Sequence, residues 1–183
     1  VIDGNSSDGT IEVVKKYRDQ ISVFVSEPDD GIYDALNKGI GFATGEYIGI
    51  LHSDDLFHDS SVLSDMVALL TRDDAEFGFA NMVIVNEKSL KVLRYYLSRY
   101  FRRWMLRTGW MPPHPTCIFK KSLHDEFGLY STDYKIVGDY DFFVRVFYGR
   151  KIRWSHLNRV TVKMRQGGAS NSGLSSKRLI AAE

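Results

Sequence analysis

The sequence predicts an α/β domain built on a mostly parallel sheet flanked by helices. Three observations point there. Strand-like and helix-like apolar patterns alternate through the first half of the chain. Acidic clusters follow two of the strand patterns, around Asp3 and at Asp54-Asp55, and open α/β sheets bind ligands beyond the carboxyl ends of their strands. The composition, 183 residues with 44% hydrophobic and 26% charged, suits one folded domain with a sizeable core.

Val1-Ile2-Asp3 reads as the end of a strand, and Gly4 to Gly9 as a turn cluster. A helix begins near Thr10, with Ile11, Val14 and Tyr17 on one face and Asp8 or Thr10 as its cap. Ile21, Val23 and Val25 alternate as a short strand, and Glu27 to Gly31 is a loop. Ile32, Ala35, Leu36, Ile40 and Ala43 recur at helical spacing until Thr44-Gly45. Tyr47 to Leu51 is an apolar strand that runs into His52-Ser53-Asp54-Asp55. Val62, Leu63, Met66, Val67 and Leu70 make an amphipathic helix, and Phe77 to Val85 reads as a strand.

The second half is less regular. Lys91 to Trp110 mixes arginines with aromatics and reads as a helix-rich insertion. Pro112 to Pro115 is a rigid bend, and Ser122 to Phe127 a short helix. Asp139 to Tyr148 is a helix with Tyr140, Phe143 and Phe147 on its core face, and Ile152 to Val162 gives one or two strands. Gly167 to Ser170 reads as a flexible loop and Ser175 to Glu183 as a terminal helix. Val1-Ile2 begins as a strand already in progress, so sequence is expected upstream of Val1.

Charge and cysteine content narrow the functional classes. Lys and Arg total 24 against 23 Asp and Glu, a near-neutral balance that disfavours nucleic acid, whose binding rests on phosphate neutralisation. The single cysteine, Cys117, excludes an internal disulfide framework and a cysteine-based zinc site. No apolar run reaches the ~20 residues of a membrane-spanning helix.

The chemistry-bearing residues form an ordered series: Asp3 to Thr10, then Asn37-Lys38-Gly39 with Ala43 to Ile48, then Ser53-Asp54-Asp55, then Gly138-Asp139-Tyr140-Asp141. This series resembles family-two, inverting nucleotide-sugar glycosyltransferases of the GT-A fold. Met164 to Ser170 is similar to a C-terminal stretch of the family's bacterial polysaccharide branch. The resemblance implies a single GT-A domain over residues 1–183. Residues 1–85 would be its nucleotide-sugar-binding half and 86–183 its acceptor side, with the fold's first strand and helix lying outside this sequence. It implies sugar transfer from a nucleotide-diphosphate donor to a glycan or lipid-linked acceptor, in cell-surface polysaccharide biosynthesis at the cytoplasmic face of the membrane.

Such a leaving group needs its departing charge neutralised, and a hard cation, Mn²⁺ or Mg²⁺, takes carboxylate and phosphate oxygens. The resemblance assigns Asp55 to the metal and Asp54 to the ribose or metal shell. It assigns Asp3 to the nucleobase and Asp139 to the general base. A bland reading stands beside each: a solvated loop for Asp54-Asp55, a turn aspartate for Asp3, a helix cap for Asp139. His52, beside the Asp pair, reads either as lining the donor pocket or as a neutral supporting residue behind it. His114 reads either as a diphosphate, acceptor or metal contact or as a plain hydrogen-bonding residue. Many family members carry Arg where this chain has Leu36, and Lys38 is the substitute considered for the donor phosphates. Asp141 reads as structural or acceptor-facing, and Gly138 stands where the family often has Glu or Ala.

Arg94, Arg99, Arg102, Arg103 and Arg107 alternate with five aromatics. That composition suits an anionic membrane surface or an insertion whose aromatics pack on the core while its arginines stay wet. An unpaired sheet edge also makes a homo-oligomer an expectation. Two rival functions remain at this stage: a non-catalytic binding module of the same fold, and a nucleotidyltransferase, which usually carries a Gly- and Arg/Lys-rich phosphate loop not seen here.

Overall fold

The computed structural model describes residues 1–166. The expected loop at 167–170 and terminal helix at 175–183 lie outside them. The element order is β1 (Ile2–Asp3), α1 (Thr10–Lys16), β2 (Val25–Ser26), α2 (Ile32–Phe42), β3 (Tyr47–Gly49), β4 (Asp55–Phe57), α3 (Val62–Arg72), β5 (Phe77–Val85), β6 (Val92–Tyr96), β7 (Ile118–Lys120), α4 (Ser122–Phe127), α5 (Gly138–Gly149) and β8 (Trp154–Arg165). Among the described residues, no helix is long and apolar enough to cross a membrane.

The α/β class holds, but the sheet is mixed rather than mostly parallel. β1 and β2 pair parallel as a separate ribbon, and the larger sheet runs β3-β7-β5-β8-β4, with β6 also on β5. Within the larger sheet only β5 and β8 are parallel. The reason lies in the second half of the chain. β7 and β8 return from far along the sequence and insert beside strands of the first half, which no local alternation reveals. β8 is one 12-residue strand, with register shifts against Ala80, Asn81 and Met82, so the two-strand option for Ile152 to Val162 gives way to one irregular strand.

β5 lies at the centre and is buried along almost its whole length, which explains why its sequence is a continuous apolar run rather than an alternation. Its Phe77 stacks on Phe119 and meets Phe143 and Phe147 edge-on at 5.1 and 5.2 Å between centroids. Phe142, Phe143, Val146 and Phe147 of α5 supply most of the helix side of this aromatic core. On α3, Val62, Met66, Leu69 and Leu70 are buried, while Leu63 and Val67 of the expected stripe are exposed. Tyr17, expected on the core face of α1, follows that helix and is exposed.

The segment from Lys91 to Trp110 departs most from its sequence reading. It forms β6, paired antiparallel with β5, and then a 3₁₀ helix at Arg103–Thr108. β5 offers an open edge there, and the β-favouring Val92, Tyr95 and Tyr96 answer it. Phe101 is fully buried and Tyr96 stacks on Trp110, whereas Tyr95, Tyr100 and Trp104 face solvent. The aromatics therefore divide between the core and the surface.

Candidate active site

A cleft of about 890 Å³ opens between β1, α2, β3 and the start of α5. Its apolar wall comes from α2, whose Ile32, Ala35, Leu36, Gly39 and Ile40 face it, from Ala43 just beyond it, and from Tyr47 to Leu51. Its polar groups include Asp29, Tyr33, His52, Asp54, Asp55, His114 and Asp139. The sequence motifs thus meet in one place, although they are far apart along the chain.

Asp55 opens β4, where it pairs with Met164 of β8. It is only 4% exposed, and neither carboxylate oxygen has a hydrogen-bond partner among the described residues. Burial, reinforced by the negative charge of Asp54, raises its pKa to about 7. A buried carboxylate with two unpartnered oxygens is costly unless a cation or proton joins it. The donor chemistry therefore fits a hard divalent cation. Among the described residues, no group of three or more His, Cys, Asp or Glu side chains is arranged to hold a metal, so a cation here would draw further oxygens from phosphates and water. Asp54, beside it in a turn, also lines the cleft.

Asp139 lies in the first turn of α5. The backbone N–H of Tyr140 donates to its Oδ1 at 2.9 Å, and the Tyr33 hydroxyl stands 3.1 Å from the same atom. That hydroxyl also rests against the Ile136 carbonyl, so one proton serves two acceptors. Burial raises the Asp139 pKa, with the hydrogen bonds from Tyr140 and Tyr33 opposing it. Gly138 has a reason here: a Cβ on it would stand 2.8–3.0 Å from the Tyr33 ring. The departure from Glu or Ala lets the ring come close to the start of α5 and its hydroxyl reach the carboxylate.

His114 is buried, its Nε2 2.9 Å from the Tyr130 hydroxyl and its ring centroid 5.8 Å from that of His52. Burial, with His52 and His124 nearby, lowers its pKa to about 3, and burial lowers that of His52 as well. Both rings are neutral at physiological pH and border the cleft.

Asp3, Lys38, Asp141 and Asn37 are each held by partners within the fold. Asp3 does not line the cleft. Its Oδ1 accepts the Ser6 hydroxyl at 2.5 Å, and its Oδ2 accepts the Ser26 hydroxyl at 2.7 Å and the Ser6 N–H at 3.1 Å. These bonds, the Ser6 hydroxyl first, lower its pKa. Asp3 ties the first turn to β2, the turn-aspartate role. Lys38 also faces away, held by Glu27 at 3.0 Å, Asp34 at 3.1 Å and the Pro28 carbonyl at 3.2 Å. Asp141 pairs with Arg145 one turn along at 2.9 Å. Asn37 donates to the Tyr130 carbonyl at 2.8 Å and accepts the Tyr130 N–H at 3.0 Å, clamping the loop that carries the His114 partner.

Asp29 was not singled out from the sequence and lines the cleft beside Gly4. Its place, after the strand β2 and before α2, is the available signal. Met164, in the C-terminal stretch noted above, lines the cleft as well.

A mixed, curled sheet with helices on both faces and a cleft at the ends of its first strands defines a GT-A-like α/β protein. The match to the family model described as Glycosyl transferase family 2 spans residues 1–128, and the chain belongs to that family. It is similar to a PGL/p-HBAD biosynthesis glycosyltransferase of Mycobacterium bovis, 22% identical over 178 residues, covering 94% of this chain and 67% of the relative. In three dimensions it is similar to Staphylococcus aureus TarS 1–349 in complex with UDP-GlcNAc. There the TM-score is 0.75 and the identity 18%, over all of this chain and 55% of the TarS 1–349 chain. The mannosyltransferase PcManGT of Pyrobaculum calidifontis, in complex with GDP-Man and Mn²⁺, superposes with a TM-score of 0.64 and 20% identity, over 93% of this chain and 48% of that one. The chain therefore spans about half to two thirds of the length of these proteins.

Proposed function

We propose that this chain transfers a sugar from a nucleotide-diphosphate donor to a hydroxyl of a glycan or lipid-linked acceptor, with inversion and with the help of a divalent cation. The observation that carries the reading is the meeting of two carboxylates in one cleft, the buried Asp55 and the half-buried Asp139, both with raised pKa values. Their environments give them different tasks. The family and the nucleotide sugars bound by the structural relatives support the substrate class.

In this reading Asp139 is the general base. Its Oδ1 is occupied by Tyr140 N–H and the Tyr33 hydroxyl, which fix the carboxylate plane before an acceptor arrives. The acceptor hydroxyl gives its proton to Asp139 as its oxygen bonds to the sugar's anomeric carbon. The bond from that carbon to the phosphate oxygen breaks on the opposite face, and the diphosphate leaves with the electron pair. A Mg²⁺ or Mn²⁺ held by Asp55, with Asp54 beside it, would neutralise the charge on the departing diphosphate.

Asp139→Asn keeps the shape of the side chain and removes its basicity. Turnover, read as nucleoside diphosphate release, is expected to fall by ~10²–10⁴ while nucleotide binding by calorimetry is retained. Near-normal turnover in that variant would remove Asp139 from the role of base.

A further inference from the structure

The stretch from Lys88 to Arg107 contains seven basic residues, and no Asp or Glu occurs between Glu87 and Asp125. Among the described residues, none of those seven makes an ion pair. Arg145, Arg150 and Arg159, by contrast, are each matched to carboxylates. The uncompensated charge is thus local, although the whole chain is close to neutral.

Large apolar side chains crowd the same stretch. Tyr95 is 63% exposed, Tyr100 and Trp104 are 59%, and Leu93 and Leu97 are half exposed. Phe101, fully buried, anchors the segment from beneath. Arg103 and Arg107 lie over the ring of Tyr148, at 4.8 and 5.5 Å from its centroid. Beside them is a cleft of about 300 Å³ with two cations, Arg103 and Lys151, over an apolar floor of Phe147, Ile152 and Trp154. Its chemistry matches a phosphate headed by charge and followed by hydrocarbon.

We propose that the surface formed by residues 92–107 docks peripherally on an anionic lipid bilayer. Tyr95, Tyr100 and Trp104 enter the headgroup region, and the arginines meet lipid phosphates. Aromatic rings favour that interfacial depth, and basic side chains near an anionic surface each strengthen binding about fivefold. A nucleic acid would use the same cations, but exposed Leu93 and Leu97 have nothing to gain from it, whereas a bilayer accepts them.

The test is co-sedimentation of the full chain with vesicles of phosphatidylcholine alone and of phosphatidylcholine mixed with phosphatidylglycerol, at low and high salt. Binding is expected only with the anionic vesicles and only at low salt. The combined change of Arg94, Arg99 and Arg107 to Ser is expected to weaken it roughly a hundredfold, and Lys at the same positions to retain it, which separates charge from packing. Trp104→Ser is expected to weaken binding at fixed charge. No binding to anionic vesicles at low salt, equal binding to both vesicle types, or binding untouched by the Ser changes would overturn the proposal. Retention of single-stranded RNA without vesicle binding would overturn it in favour of nucleic acid.

Discussion

Replacing Asp55 by Asn should make the protein more stable, by an amount that depends on pH. The carboxyl titrates near pH 7 in the folded chain against an ordinary 3.8. The unfolded chain therefore releases this proton first as pH rises, and folding must then either hold the proton or bury the charge. The cost is absent below about pH 4, grows across the interval and is complete above pH 7. At 1.36 kcal/mol per pK unit the interval is worth about 4 kcal/mol. Screening by water in the open side of the cleft brings this to roughly 2–4 kcal/mol. Asn removes the charge while keeping the shape of the side chain. Thermal denaturation with chelator present should show equal midpoints for the two proteins at pH 4. The variant's midpoint should be roughly 4–16 °C higher well above pH 7. Added Mn²⁺ should raise the wild-type midpoint and leave the variant's unchanged, since only the native carboxylate gains a ligand. A variant that is less stable than wild type above pH 7, or a difference that does not change with pH, would refute the reasoning.

Other outcomes follow from the same geometry. Tyr33→Phe removes a hydrogen bond that lowers the Asp139 pKa, so the acid limb of the rate profile should move to higher pH; an unmoved limb would detach Tyr33 from the base. Gly138→Ala places a Cβ within 3.0 Å of the Tyr33 ring and should cost about 1–3 kcal/mol in urea denaturation. Asn37→Ala strips both partners from the Tyr130 backbone and should cost about 1–3 kcal/mol, with no direct effect on nucleotide contacts.

The sequence revealed elements whose signal is local. α2, α3, β5 and α5 each declare themselves through apolar spacing, and the structure has all four. What stayed hidden is pairing at a distance. β8 slots between β5 and β4, and its sequence does not say which strands it will meet. The segment carrying β6 reads as a helix-rich insertion in its mix of arginines and aromatics, yet part of it pairs as a strand on the free edge of β5. The candidate site divides in the same way. Asp55 and Asp139 were assigned through the family resemblance, and the structure brings both to the one cleft. The true partners of Asp3, Ser6 and Ser26, and of Lys38, Glu27 and Asp34, depend on folded neighbours that spacing alone does not weigh.

These reassignments change how the motif series should be read. Asp3 ties a turn to β2, Asn37 clamps Tyr130, and Gly39 leaves room for Ile2, whose side chain would stand 3.3 Å from a Cβ there. These three hold the cleft's walls at their spacing. Asp54, Asp55 and Asp139 instead face the cleft, and two of them carry raised pKa values. The wall residues satisfy their polar groups internally and so stabilise the chain. Asp55 leaves its oxygens unpartnered among the described residues and so weakens it. A fold that needed only stability would have replaced that buried carboxylate. Its presence beside a second, half-buried acid whose pKa is also raised, within walls fixed by the other motif residues, is what the sugar-transfer reading explains and a purely structural reading of the series does not.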